Sequence, residues 1–292
     1  MQITGGTRVF LILGDPVAQV RAPEVFNHLF RKHGVDAVLV PAQVPVADFE
    51  AFARTVLRAG NISGLWLAIP HKLGMVKLLD HVELVGRVAG AVNAARRNAD
   101  GSLEGALFDG VGFVKALRHF GLRPAGRRVL VVGVGGGGVA IAAALARQSV
   151  GRVSLFDASP GRAAEVAARL RHAFDAEVHA LDSADPAGQD LVVNATPLGL
   201  HPGDPLPFDV ARLDPGCCVV DILMKNQPTP LLRACRARGL VAHPGFEMLV
   251  QQIPEYLSFF GYDDIARKVQ ADASDVRELL APSSAGFAAD FA

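Results

Sequence analysis

A lysine, two aspartates and a run of glycines are the residues of this chain whose types and spacing can do chemistry. Lys72 follows Ile69-Pro70-His71, where a short apolar strand turns into a predicted helix from Lys72 to Leu79. A cation at the first turn of a helix opposes the partial positive charge already present there. Two readings stand: a solvated surface lysine, or a group that exchanges a proton with a substrate hydroxyl in a cleft. Asp109, in Phe108-Asp109-Gly110-Val111-Gly112, is open in the same way. It either caps the helix that follows or faces Lys72, holding the ammonium in place and accepting a substrate hydroxyl.

The glycines point to an anion site. Gly133, Gly135 and Gly138 fill a Gly-x-Gly-x-x-Gly spacing, with Gly136 and Gly137 inside it, between the apolar Val129 to Val132 and the alanine-rich Val139 to Ala146. In a dinucleotide-binding turn the first glycine permits the tight turn, the second lets backbone approach the pyrophosphate, and the third lets helix pack on strand. The competing reading is a turn that needs glycine for packing alone. Asp157 ends the next strand about 20 residues past Gly138, the spacing of the acid that binds the adenosine ribose diol. A carboxylate there repels the extra phosphate of NADP, so NAD is the expected cofactor, with NADP possible beside Arg162. Asn194-Ala195-Thr196-Pro197-Leu198-Gly199 closes a later strand and either simply ends it or borders the nicotinamide ribose.

Strand-then-helix units must position these residues. Thr7 to Leu13 precedes Ala22 to Lys32, Ala37 to Val40 precedes Val46 to Ala59, and Gly64 to Ile69 precedes Lys72 to Leu79, an alternation that predicts a parallel sheet covered by helices. A second series of strands follows at Val129 to Val132, Val153 to Phe156, Glu177 to Ala180, Leu191 to Asn194 and Cys218 to Asp221. Between them, Asn98-Ala99-Asp100-Gly101 predicts a hairpin turn, and a helix from about Gly110 to Phe120 bridges the two halves. Glu247 to Phe260 is a last helix, kinked at Pro254, that packs back on the first half. The fold class is therefore α/β in two domains: residues 1–108 with 245–280 as a substrate-binding domain, 109–244 as a Rossmann-type NAD(P)-binding domain, and 281–292 as a loose tail.

Composition excludes several functions. The chain has 292 residues, half of them hydrophobic, with 29 basic and 29 acidic side chains, so it lacks the basic footprint of a nucleic-acid binder. The charge-free stretch from Val129 to Ala146 is broken by its glycines and reads as strand, turn and helix rather than a membrane span. Met1 to Leu13 lacks the build of a secretory signal, and a cytoplasmic address is expected. Cys217, Cys218 and Cys235 lack metal-ligand spacing and read as reduced thiols, and His71, His201 and His243 as ordinary histidines, so no metal site is expected.

Taken in order, these segments resemble the shikimate dehydrogenase family from Gly14 to about Tyr262. The matching runs are Gly14-Asp15-Pro16-Val17-Ala18, Ile69-Pro70-His71-Lys72, Ala89-Gly90-Ala91-Val92-Asn93, Phe108-Asp109-Gly110-Val111-Gly112, the glycine loop, Asn194-Ala195-Thr196-Pro197, Thr229-Pro230-Leu231 and Met248-Leu249-Val250. The resemblance implies hydride transfer between nicotinamide and a ring alcohol, with Lys72 and Asp109 as the catalytic pair. It places Asn93 and Gln252 on the substrate hydroxyls, and Asn194, Thr196, Pro197, Gly245 and Met248 at the cofactor. The chain departs from the family where the substrate carboxylate is held. A Ser-x-Ser-Pro pattern reads Val20-Arg21-Ala22-Pro23 here, a threonine is Ala68, an asparagine is Trp66, an Asn-Thr pair is Leu107-Phe108, and a tyrosine is Met224. Each lost hydroxyl removes a charge-assisted hydrogen bond of roughly 1.5–3 kcal/mol. The expected substrate is thus a shikimate-like, quinate-like or less polar cyclic molecule bound against Val20, Ala22, Ala68 and Met224, with Arg21 able to meet a carboxylate if it turns inward. A shikimate or quinate dehydrogenase with a rearranged carboxylate site, and a non-catalytic ligand-binding protein, are the alternatives. The expected assembly is a monomer or homodimer.

Overall fold

The computed structural model describes residues 2–224 and 227–280; the tail expected at 281–292 lies outside the described residues. These residues form two six-stranded sheets. The first contains β1 (Arg8–Gly14), β2 (Ala37–Gln43), β3 (Ile62–Leu67), β4 (His81–Val82), β5 (Ala94–Arg97) and β6 (Leu103–Ala106), in the order β2-β1-β3-β5-β6-β4. Strands β2, β1 and β3 run parallel, whereas β5 joins β3 and β6 antiparallel. The β5–β6 connection is the expected hairpin, and Gly101 supplies its positive φ of 89°. The second sheet contains β7 (Arg128–Val132), β8 (Arg152–Phe156), β9 (Val178–Ala180), β10 (Leu191–Asn194), β11 (Cys218–Asp221) and β12 (Ala242–Pro244). Its order is β12-β11-β10-β7-β8-β9, parallel throughout, with the direction of winding reversing between β7 and β10. Ligands bind at such a reversal, beyond the carboxyl ends of the strands. Strand β12 escaped the sequence reading because Ala-His-Pro offers no β-branched run.

The helices are α1 (Ala22–Lys32), α2 (Phe49–Val56), α3 (Leu84–Ala89), α4 (Asp109–His119), α5 (Gly136–Ala146), α6 (Arg162–Phe174), α7 (Pro230–Ala237), α8 (Phe246–Phe259), α9 (Asp263–Ala271) and α10 (Ser274–Leu280). The helix expected from Lys72 to Leu79 is instead a turn followed by a short 3-10 segment, Gly74–Leu78. The reason is local: the Lys72 carbonyl accepts the amide of Val92 at 3.0 Å and is lost to a continuing helix. Two helices, α9 and α10, follow α8 in a stretch for which the sequence reading named no element.

Helices α4 and α8 tie the halves together through glycine. A Cβ on Gly110 would stand 2.2 Å from the Ala140 carbonyl oxygen of α5, and one on Gly112 would stand 2.5 Å from that of Met248 in α8. Only a bare backbone fits these approaches. Helix α8 then drives Val250, Ile253, Tyr256 and Leu257 into the core of the first half, among Phe10, Phe26, Phe30 and Trp66. Full burial of each such side chain stabilises the fold by roughly 1.5–3 kcal/mol. Cys217, Cys218 and Cys235 are buried free thiols, and burial pushes them up to about 12, 11 and 11 respectively, which keeps them protonated.

Candidate active site

Lys72 stands just beyond the carboxyl end of β3, and Asp109 opens α4. The Lys72 ammonium donates to Asp109 Oδ2, and the two side chains are 15% and 5% exposed. Asp109 is not the helix cap: Phe108 holds that position and makes no capping hydrogen bond. The carboxylate instead sits in the first turn, where the helix field favours negative charge, and is spent on the lysine. The glycine loop completes this arrangement. A Cβ on Gly136 would lie 3.0 Å from Lys72 Cδ and 3.1 Å from its Cβ, so the stem of the lysine rests on the first residue of α5. The ion pair and the loop therefore share one wall of the cleft.

Asn93 and Gln252 meet beside that pair. Asn93 Nδ2 donates to Gln252 Oε1 at 3.3 Å, and Asn93 Oδ1 accepts the Phe108 amide at 2.9 Å. Tyr256, which the sequence reading did not single out, donates its hydroxyl to the Asn93 carbonyl oxygen at 3.1 Å. Its ring stacks on Trp66 at 5.2 Å and meets Phe108 edge-on at 5.1 Å. Burial, and secondarily the Asp109 charge, push its phenol well above the usual value, so it stays a neutral donor. An aromatic at that position of α8 reads from sequence only as core, so its polar end was invisible.

Val20 and Ala68 are partly buried against the same aromatic core, and Ala22 lies within it. Arg21 does not turn inward. Its Nε and Nη2 donate to Glu24 at 3.2 and 2.6 Å, its Nη2 also to the Leu279 carbonyl at 3.2 Å, and its Nη1 to that of Leu280 at 2.8 Å. The guanidinium closes the carboxyl end of α10, where cations are favoured. Met224 and Arg21 nonetheless border a cavity of about 110 Å³ with Gln227, Phe246, Leu249 and Leu280.

The glycine loop fits a dinucleotide. Gly133 has φ of 91°, and a Cβ on Gly138 would fall 1.9 Å from the Gly133 carbonyl oxygen, so neither tolerates a side chain. At Gly135 a Cβ would meet nothing within 4 Å: the outer face is open, and a side chain would fill the space a pyrophosphate needs. Gly137 would bring its Cβ to 3.2 Å from Ile222. Asp157 follows β8 and reaches back to the loop, accepting the Val134 amide at 2.8 Å and the Ser159 amide at 2.9 Å. Burial opposes its charge, but these amides and the Ser159 hydroxyl outweigh it and hold the carboxyl below its ordinary value.

The remaining expected cofactor residues hold the loops rather than face outward. Asn194, Asp221 and Thr229 are wholly buried. Asp221 accepts Asn194 Nδ2 at 3.0 Å, the Leu223 amide at 3.2 Å and the Thr229 hydroxyl at 2.6 Å. Asn194 Oδ1 accepts the Thr196 amide and hydroxyl at 3.0 and 2.7 Å. Every polar atom of Asn194 is thus engaged within the protein, while Pro197 next to Thr196 is exposed. Gly245 is glycine because a Cβ would stand 2.4 Å from Ile222 Cα, and Met248 is packed in the core between α4 and α5. A carboxylate ending the buried Cys-Val-Val-Asp strand was the signal for this network, passed over in the sequence.

A parallel sheet wound in this order and joined by two helices to a mixed sheet carrying the lysine–carboxylate pair defines a two-domain α/β nucleotide-binding protein. Residues 12–95 match the family model for the shikimate dehydrogenase substrate binding domain. The chain is 39% identical over 255 residues to shikimate dehydrogenase (NADP(+)) of Rubrobacter xylanophilus, covering 86% of this chain and 89% of that one. It is also 39% identical over 282 residues to shikimate dehydrogenase (NADP(+)) of Acidiphilium cryptum, covering 93% and 99%. The quinate dehydrogenase from Corynebacterium glutamicum, solved in complex with NAD, superposes with a TM-score of 0.77 at 26% identity, covering 91% of this chain and 99% of that one. The chain belongs to the shikimate dehydrogenase family, and its class is NAD(P)-dependent oxidoreductase. No helix among the described residues is long and apolar enough to cross a membrane.

Proposed function

We propose that the protein oxidises or reduces one ring position of a shikimate-like, quinate-like or less polar cyclic substrate, with Lys72 and Asp109 as the catalytic pair. The observation that carries this reading is the seating of their ion pair against Gly136, which brings proton-handling groups to the mouth of the dinucleotide loop. When bound, the nicotinamide supplies the hydride acceptor or donor. Lys72 Nζ orients the reacting oxygen: in the reductive direction its ammonium, with hydrogens beyond the one given to Asp109, gives a proton to that oxygen and becomes the neutral amine, and in the oxidative direction the neutral amine takes the hydroxyl proton. Asp109 holds the ammonium in a desolvated position and offers its second oxygen to the same hydroxyl. Asn93 and Gln252 orient neighbouring hydroxyls, and the first-half residues 1–108 with 245–280 carry the substrate while 109–244 carry the cofactor.

Gly133, Gly135, Gly136, Gly137 and Gly138 would hold the pyrophosphate, Asp157 the adenosine ribose, and the loop of Thr196 and Pro197 the nicotinamide end. Asp157 favours NAD on electrostatic grounds, although the two relatives above are named for NADP(+). Those names also favour the second reading, a true shikimate or quinate dehydrogenase whose carboxylate site is rearranged. Replacing Lys72 with alanine tests the assignment. Turnover with a panel of cyclic hydroxy acids should fall by about 10²- to 10⁴-fold, while NAD(P) affinity measured by calorimetry changes less than about threefold. Loss of cofactor binding in step with turnover would show that the lysine serves the loop instead.

A further inference from the structure

Resting on the dehydrogenase reading above, we infer that His71 is a positioning residue for the proton-handling lysine beside it: its imidazole fixes the turn from which Lys72 reaches Asp109. That turn has no helix of its own, since the short 3-10 segment begins only at Gly74. Its attachments come from outside. On one side the Lys72 carbonyl accepts the amide of Val92, the residue before Asn93, at 3.0 Å. On the other, His71 Nε2 lies 2.8 Å from the Val44 carbonyl oxygen, and the ring stacks on Phe49 with centroids 4.2 Å and planes 3° apart. Val44 continues the chain just past β2, its amide donating to the Gly14 carbonyl at 3.1 Å, and Phe49 opens α2. The imidazole therefore clamps the lysine's turn to the end of the first sheet.

The chemistry of the clamp calls for histidine. A carbonyl only accepts, so Nε2 carries the ring proton. His71 is 2% exposed, and burial lowers its pKa by more than the Val44 hydrogen bond and the Asp15 charge raise it. The ring is neutral at neutral pH and adds no second cation beside the Lys72 ammonium. Phenylalanine would keep the stack but withdraw this donor from the Val44 carbonyl. Lysine or arginine would bring a charge that burial penalises. The Lys72 stem is packed on Gly136, so its side chain has little freedom to make good a displaced turn. A misplacement of about 1 Å between reacting groups can cost about 10²-fold in rate.

The test uses the full chain, with shikimate, quinate and cyclohexanol as substrates, and reads turnover and the lysine separately. Calorimetric titration with NAD(P) counts folded sites, and rates are expressed per site. His71→Phe should lower kcat at least about tenfold while KM and cofactor affinity change less than about threefold. His71→Gln, which returns an N–H at similar reach, should recover kcat to within about threefold of the unaltered chain. Acetylation of Lys72 by acetic anhydride, followed by peptide mass, reads the seating of the ammonium without turnover. It should quicken at least about threefold in His71→Phe and stay near the unaltered rate in His71→Gln. Phe49→Leu loosens the ring and keeps its hydrogen bond; it should shift both readouts the same way by a smaller factor, and it carries the test should His71→Phe not fold. Labelling unchanged in the folded variants, kcat unchanged in a chain that turns over any of these substrates, or a loss in His71→Phe that His71→Gln shares in full would each overturn the inference. Labelling that responds as expected in a chain that turns over none of them would leave the positioning role standing and overturn the dehydrogenase reading instead.

Discussion

The nucleotide half and the substrate half of this molecule meet the same cleft with opposite kinds of edge. On the nucleotide side, backbone does the work: Gly133, Gly138 and Gly245 pack against main-chain atoms, and Asp221, Asn194 and Thr229 lock two loops with fully buried hydrogen bonds. On the proposed substrate side, side chains set the character of the edge, with Val20, Ala22, Ala68 and Met224 supplying carbon at positions where the resemblance expects hydroxyls. A backbone edge has few tolerated alternatives, because a Cβ either fits or collides. A side-chain edge can be rewritten one residue at a time while the strands and helices beneath it stay in place. On the function proposed above, chemistry and cofactor class would be held by the first edge and the pair beside it, and substrate identity by the second.

Two glycines separate packing from binding within the backbone edge. Gly138→Ala places its methyl 1.9 Å from a main-chain oxygen, so strand and helix must separate. The expected loss is about 3 kcal/mol or more of stability, read from denaturant midpoints, together with cofactor binding. Gly135→Ala meets no protein atom within 4 Å. It should leave the denaturant midpoint nearly unchanged while weakening NAD(P) binding by about tenfold or more. Equal effects of the two substitutions would remove the distinction between a packed and an open face of the loop.

The rigid edge was the legible one. Strands β10 and β11 occupy the positions expected from Leu191 to Asn194 and Cys218 to Asp221, because buried parallel strands read as continuous apolar runs. The residue types alone left Lys72 and Asp109 undecided, since nothing local shows that side chains 37 positions apart will meet. The resemblance brought them together. Arg21 was only partly readable: its pairing with Glu24 is local, but its other acceptors lie on α10, at Leu279 and Leu280, in a helix that had no place in the expected topology. The aromatic cluster of Trp66, Phe108 and Tyr256 was legible as hydrophobic, but the hydrogen bond from the Tyr256 hydroxyl to Asn93 was not, because periodicity marks burial and not which buried residue carries a polar contact.

Asp157 tests whether charge or backbone governs the adenosine end. Its carboxylate is bound to the Val134 and Ser159 amides and flanks the position expected for the ribose. Asp157→Asn keeps one acceptor for those amides and removes the charge. The NADP-to-NAD ratio of kcat/KM should rise about tenfold, equivalent to about 1.4 kcal/mol. An unchanged ratio would mean that the carboxylate serves the loop geometry alone.

The smallest expected effect concerns the attachment of α10, whose last carbonyls accept from Arg21. Asp275 in α10 accepts His28 Nε2 at 2.7 Å and Lys32 Nζ at 2.8 Å from α1. Burial opposes the charge of this carboxylate, yet the hydrogen bonds from Lys32 and His28 prevail and bring it from 3.8 down to about 2. A carboxyl depressed on folding stabilises the native state above its unfolded value and loses that contribution as the pH falls through its folded value. The attachment should therefore hold at neutral pH and weaken between about pH 4 and about pH 2. Asp275→Asn removes the charge without acid. Hydrogen exchange in α10 should quicken several-fold in this variant at pH 7, and the KM for a cyclic substrate should shift by less than about threefold, with NAD(P) affinity unaltered. A fall in cofactor affinity of similar size would show that α10 supports both edges of the cleft, and the division between them would have to be redrawn.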